Sequence, residues 1–453
     1  MPKAVQNALF LLCCFVNGVF AQGQSTVLSA YVQEGLEKNL TTQKIQLGID
    51  KQFSKVAEAK GNKLPTVTFE PNYLLAAGGR RLAFPIGDLF NPAYGALNQL
   101  TQTQDFPTNL ENVDEQLTPS NFHDTRFYAN YPLFNPAIYY NIKAQEQLIS
   151  VEEAKLAAQQ AELTKEIKVA YYNYFKTFEV LKILDESQNL LNDLYRFNQK
   201  LVKYDKATED ILAGVTFDLE NINSQRAGVL EQQIMAKAYF NALLQRDYDA
   251  PIEAEPTPLF SNTNSSTVAN LQQTAVKNRA ELQQLKEAQL ANQITVTLQE
   301  KSLLPTVGLQ ATAGLQGFGY SFDSEQFLGT LAIGAKWTIF DGKIRKRKIE
   351  QQVITNLELQ KDYEIVQQQI ELQVMGAFHA LNTAIQKVRA EKVAVESAAN
   401  RMNIIRKRYE NEKALLIEFL DAQNKWTIAK INLSTAQFDV LIRRVELERA
   451  VAE

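Results

Sequence analysis

The chain is poor in cysteine, histidine and long apolar runs, and its proline is confined to a few windows. Both cysteines, Cys13 and Cys14, fall inside the first 21 residues. There Lys3, the apolar stretch Ala8 to Phe20 and the small-residue site Val19-Phe20-Ala21 read as an export signal cleaved before Gln22. Neither cysteine has the cleavage context of a lipid anchor. The exported chain then carries no thiol, which excludes disulfides, thiolate metal sites and cysteine nucleophiles. His123 and His379 are the only histidines of 453 residues, and no Ser-His-Asp set, phosphate loop or metal-ligand spacing surrounds either. No enzyme chemistry, cofactor or metal is expected. Beyond the signal no run reaches about 18 uninterrupted apolar residues, which excludes a helical inner-membrane transporter and leaves a closed β-barrel as the way to span a bilayer. A net charge of −4 offers no basic excess for nucleic acid.

Apart from Pro2, every proline lies between Pro65 and Pro136, between Pro251 and Pro258, or at Pro305. Residues 137–250 hold only Gly214 and Gly228, and residues 343–453 hold only Gly376 and no proline. Inside a helix proline costs about 3 kcal/mol and glycine about 1, so these stretches favour long helices. In the second of them Ile370, Val374, Ala377, Leu381, Ala384 and Val388 step by four and three, the spacing of a coiled-coil seam, with Ile349, Val353 and Leu357 leading in. Ala137 to about Leu201 and Asp210 to Leu244 follow the same pattern. A helix of roughly 60 residues is about 90 Å long, far more than a bilayer. Amphipathic rather than uniformly apolar, these helices belong in water, packed on each other.

What punctuates the helices is repeated. Leu-Pro-Thr-Val occurs at Leu64 to Val67 and again at Leu304 to Val307, each time after a helical stretch and before alternating residues. The chain reads as a duplication: residues 22–250, a linker at 251–270, and residues 271–453. Strands are expected at about 64–75, 122–134, 304–317 and 327–340. Val307, Leu309, Ala311, Ala313 and Leu315 alternate with polar or minimal residues, and Leu331, Ile333, Ala335, Trp337 and Ile339 form a second apolar row. In the first half Val67, Phe69 and Tyr73, then Phe127, Ala129, Tyr131 and Leu133, do the same. Alternation over about ten residues suits a strand with lipid on one side and water on the other. Two hairpins cannot close a barrel, since even small ones take about eight strands, so several chains must pool them.

Leu64-Pro65 and Leu304-Pro305 opening strands, Tyr131-Pro132-Leu133-Phe134-Asn135 and Trp337-Thr338-Ile339-Phe340-Asp341-Gly342 closing them, and Arg408-Tyr409 followed by Leu420-Asp421-Ala422-Gln423 together resemble the TolC-like outer-membrane efflux proteins. The resemblance covers nearly all of the exported chain. It implies a mainly helical fold with membrane β-structure: a homotrimer in which each chain gives four strands to one twelve-stranded barrel and its helices to a periplasmic tunnel. It implies an outer-membrane exit duct of a tripartite efflux or type I secretion system in a Gram-negative bacterium, working with a periplasmic adaptor, an inner-membrane pump and outer-membrane lipid. Glu418 and Asp421 match acidic residues that ring the narrow end of such tunnels, and a threefold axis makes them two carboxylate rings that favour cations. Tyr409 matches a residue that helps tether the closed state, and Asp210, at the first-half turn, is a similar candidate. Glu412 and Leu415 stand where the family has glycine and serine or threonine, and Ala414 where a tethering arginine can occur. The closing link therefore does not carry over whole.

Two segments stand apart. About 50 residues between Tyr73 and Arg126, rich in Asn, Gln, Pro and aromatics, are longer than a connecting turn needs. The implied topology places them outside the cell as a cap or surface loop. Lys343, Arg345, Lys346, Arg347 and Lys348 open a helix against its dipole, a cluster placed for lipid phosphates or for water. A periplasmic coiled-coil adaptor would show one helical hairpin with a compact β-domain, and a nutrient porin many more strands and less helix. The duplicated order favours the duct over both.

Overall fold

The computed structural model describes residues 26–254, 267–321 and 323–453. The segment expected to be an export signal, with Cys13 and Cys14, and residues 255–266 of the expected linker lie outside them. Each repeat opens with a broken helix pair, α1 (Thr26–Lys38) and α2 (Leu40–Gly61), then α6 (Val268–Asn278) and α7 (Ala280–Lys301). Each closes with a very long helix and a shorter one: α4 (Pro136–Lys203) and α5 (Asp210–Leu243), then α8 (Ile344–Glu410) and α9 (Leu416–Val451). Between them lie β1 (Thr66–Leu74) and β4 (Phe122–Phe134) in the first repeat, β5 (Thr306–Phe318) and β6 (Phe327–Lys336) in the second. The first hairpin also contains β2 (Arg81–Phe84), α3 (Ile86–Thr101) and β3 (Val113–Gln116). No helix of the described residues is long and apolar enough to cross a membrane.

The chain divides into two compact units. One comprises the ends of the long helices with α1, α5, α6 and α9; the other holds the strands, the helix ends beside them and the first hairpin's insertion. In the helical unit the coiled-coil seam is real core. Ile370, Val374, Leu381, Ala384 and Val388 of α8 are buried against Leu271, Ala275, Ala436, Val440 and Leu447. Leu28, Tyr31, Leu163, Ile167, Phe240 and Leu244 form the counterpart core of the first repeat. Ion pairs step antiparallel along α4 and α9: Lys168 with Glu448 at 3.2 Å, Lys176 with Asp439 at 3.6 Å, Lys430 with Glu186 at 2.7 Å.

The two short-helix pairs break in similar ways. Asn39 interrupts α1 and α2, its Oδ1 accepting from the N–H groups of Thr41 and Thr42 while its amide donates to Leu243 O at the end of α5. Arg279 holds the same place between α6 and α7 and donates to Arg449 O and Ala450 O at the end of α9. Each break thus supplies donors to carbonyls of the last turn of the helix packed beside it.

In the strand unit β1, β4, β5 and β6 form one antiparallel sheet in that order. Register stacks Val67 and Phe69 beside Ala129 and Phe127, then Ala311 and Ala313, then Leu331 and Gly329, an apolar face that becomes polar only towards the first-hairpin end, at Thr125 and His123. Thr68, Glu70, Asn130, Arg126, Gln310 and Thr330 lie on the other. Pro132 has no N–H for the ladder, and the β4–β5 register shifts between Pro132 and Phe134. Asn135 then accepts from Ala137 N–H, with Pro136 as the first helical residue, a strong start signal for α4. Asp341 does likewise for α8, accepting from Arg345 N–H and from its guanidinium at 2.6 Å. Arg345 also donates to Ser302 O and Thr338 O, so this member of the basic cluster is a clasp within the chain.

β6 stops at Lys336, short of the alternation that continues to Ile339. Trp337 turns aside to donate its indole N–H to Leu303 O at 3.0 Å. The long first-hairpin segment is ordered rather than a bare loop. Helix α3 runs through Pro92 because side chains on one face clamp it to the returning chain. Asn91 exchanges two bonds with Leu110, and Asn98 two with Phe106, each amide imitating a strand partner. Gly87 lies so close to Leu110 O that an added Cβ would come within 2.2 Å, leaving room for no other residue.

Candidate functional site

The sequence places its candidates at the two helical turns, and the structure builds both turns alike. The N–H of Glu412 bonds Tyr409 O and that of Lys413 bonds Arg408 O; at the other turn Asp205 bonds Val202 O and Lys206 bonds Leu201 O. This paired closure needs its penultimate residue in the left-handed region, and Glu412 (φ 56°) and Asp205 (φ 55°) take it. Glycine is the usual occupant, so each turn carries a backbone cost of about 1 kcal/mol.

Around these turns sits a common core of Leu191, Leu194, Val215, Met402, Ile405, Phe419 and Leu420. Tyr409 packs against it, its ring 5.3 Å from that of Phe419, and its hydroxyl donates to Asn198 Oδ1 on α4 at 2.6 Å. Burial pushes the phenol above its ordinary value, against a smaller opposite pull from the Asn198 bond. Tyr409 therefore stays a neutral donor and ties α8 to α4 within one chain. Asn198 is fully buried and its amide nitrogen has no partner among the described residues. Gln423, the last residue of the Leu420-Asp421-Ala422-Gln423 motif, is buried as well. It donates to Ser187 on α4 and, at 3.2 Å, to Thr427.

The two acidic candidates do different things. Glu418 lies in the first turn of α9, and its carboxylate accepts from Leu415 N–H at 2.9 Å, satisfying one orphan donor of the helix start. Leucine has no side-chain oxygen to return that bond, so the cap is one-sided, the local consequence of Leu415 where a hydroxyl residue is usual. Asp421, one turn on, is flanked by two cations: Arg401 of α8 at 2.8 Å and Lys425 of α9 at 2.9 Å. Its negative charge is compensated within the chain. Asp210 begins α5, exposed, and accepts from the Thr208 hydroxyl. Tyr409, Glu418 and Asp421 thus gather at the second turn, while Asp210 belongs to the first. Asn198 and Arg401 were not legible in advance. Each meets its partner across a fold, 211 and 20 residues away in sequence, beyond any local spacing rule.

Two long antiparallel helix pairs and one four-stranded sheet, β1-β4-β5-β6, make up most of the described residues. Residues 271–453 match the family model described as Outer membrane efflux protein. Over 456 residues the chain is 19% identical to Outer membrane protein TolC of Escherichia coli K12, covering 96% of this chain and 84% of that one. Among solved structures, CusC superposes with a TM-score of 0.75 at 14% identity, over 97% of this chain and 95% of that one. The Campylobacter jejuni CmeC outer membrane channel superposes at 0.74 and 13% identity, over 94% and 85%. The superpositions fix the fold. The family match over residues 271–453 and the likeness to TolC along the whole chain make the protein similar to the outer-membrane efflux proteins.

Proposed function

We propose that this protein is the outer-membrane exit duct of a tripartite efflux or type I secretion system. It lies in the outer membrane of a Gram-negative bacterium and passes cargo delivered from the inner membrane without chemistry of its own. The observation that carries the reading is the sheet. Val67, Phe69, Leu331 and Ile333 are 54% to 73% exposed on its apolar face, and among the described residues its outer strands β1 and β6 have no neighbour beyond them. Such a face and such edges are untenable in water. Thirteen residues in each of β4 and β5 make about 43 Å of strand, and a tilt near 45° reduces this to roughly 30 Å, the hydrocarbon thickness. Three copies supply twelve strands, close every edge and turn the apolar face to lipid.

The helices then line a tunnel whose narrow end lies at the two turns, with Glu418 and Asp421 repeated about the axis and Tyr409 and Asp210 beside them. A periplasmic adaptor and an inner-membrane pump dock on this helical part. An adaptor role for the chain itself is disfavoured, because such a protein has no use for a sheet of bilayer height. Expression in a strain lacking its own duct tests the proposal. Unboiled samples of the outer-membrane fraction should show a band of three chains that collapses on heating, and export should be restored. A soluble monomer on removal of residues 1–21 would overturn the reading.

A further inference from the structure

The insertion in the first hairpin presents a second unpartnered surface. The strands meet their helices at Thr66, Phe134, Thr306 and Lys336, so the connection from Leu74 to Phe122 leaves the opposite end of the sheet. Within it the two faces of α3 differ sharply. Gly87, Asn91, Tyr94 and Asn98 are spent on the returning chain, through the Asn91 and Asn98 clamps and the packing of Tyr94 on Phe106. Leu89, Ala93, Ala96 and Leu100, stepping by four, three and four, lie on the far side and are exposed, with Phe90 and Leu97 on their flank. Leu89 is 60% and Leu100 81% exposed. No polar residue interrupts this stripe, and its spacing is that of a seam between helices rather than of a surface helix in water.

We propose that this stripe packs against the same stripe on the other copies of this chain, so that three α3 helices meet around the axis and cap the outer mouth of the barrel. The inference rests on the trimeric duct reading. Three features choose a second copy as the occupant. The insertion springs from β1, an edge strand among the described residues that another chain completes in the duct reading, so it leaves the sheet at a strand given to self-association. The four-three-four spacing with small residues at Ala93 and Ala96 suits identical helices brought close together. The helix contains one charge, Asp88, and no Lys or Arg, whereas a helix lying on anionic lipid headgroups carries basic residues.

The test uses the full-length protein in outer membranes, with single variants Ala96→Cys and Ala93→Cys in the seam and Gln99→Cys off it. Copper phenanthroline supplies the oxidant. The unboiled three-chain band, read on the same samples, reports the duct separately. The expected result is disulfide-linked dimers of this chain from both seam variants, at least tenfold above Gln99→Cys, and protection of the seam thiols from a bulky maleimide. Intact three-chain bands with no seam dimers and free maleimide labelling would overturn the cap and leave the duct standing. So would a link from the seam cysteines to another protein, or quenching of a fluorophore at Cys-substituted Ala96 by brominated lipid. Loss of the three-chain band in the unsubstituted protein would overturn both.

Discussion

Asp421 shows how a residue's neighbours decide what its charge does. With Arg401 and Lys425 both within hydrogen-bond range, its carboxylate presents little net charge to a passing ion. Replacing Arg401 with Gln should unmask it and raise the cation-to-anion permeability ratio in single-channel recordings. Replacing Glu418 and Asp421 together with Ala should lower that ratio, and unchanged selectivity in both variants would remove the acidic-ring assignment. Glu412 makes a separate prediction. Its left-handed backbone suits glycine, so Glu412→Gly should slow hydrogen exchange at the turn, by a stabilisation of about 0.5–1 kcal/mol, whereas Glu412→Val should speed it. These residues could be named from sequence because each sits in a local motif. Their roles could not, because Arg401 and Asn198 reach them from other helices or other turns.

The strands and long helices were legible as elements because their periods, two and about 3.6, are written into consecutive side chains. What escaped that reading was set by partners. β6 ends at Lys336 because Trp337 is drawn to Leu303, and α3 survives Pro92 because two asparagines clamp it. The break at Arg279 is another such feature. Arg279 and Arg449 both hold Glu281, at 2.9 and 2.6 Å. Burial works against ionisation there, yet the bonds from the two guanidinium groups outweigh it and keep Glu281 below its ordinary 4.5. A depressed native value means that the contribution is complete above the unfolded pKa and is lost as pH falls through the native one. Melting followed by circular dichroism should therefore show stability declining below about pH 4.5, with a smaller decline in Glu281→Gln. At neutral pH that variant should be less stable by about 1–3 kcal/mol, since it leaves the largely buried Arg279 guanidinium without a carboxylate and Arg449 with Glu162 alone.

For the whole molecule, the two hairpins differ chiefly in the connection from Leu74 to Phe122. Leu74 and Phe122 are paired across β1 and β4, so the ends of the insertion already meet. Replacing residues 77–117 with a short Gly-Ser turn should leave the heat-sensitive three-chain band and export unchanged, because no ladder of the four-stranded sheet uses them. Loss of the band would assign the insertion a part in assembly. The sequence by itself determined the repeated motifs, the proline-free helices and the alternating strands, since each is a matter of residue type and local period. Only the tertiary structure decided that Asp421 is compensated, that Tyr409 ties α8 to α4, and that the long insertion is a clamped helix with a bare apolar face. Each of these depends on which groups distant in sequence are brought within a few ångströms, where hydrogen bonding and packing act.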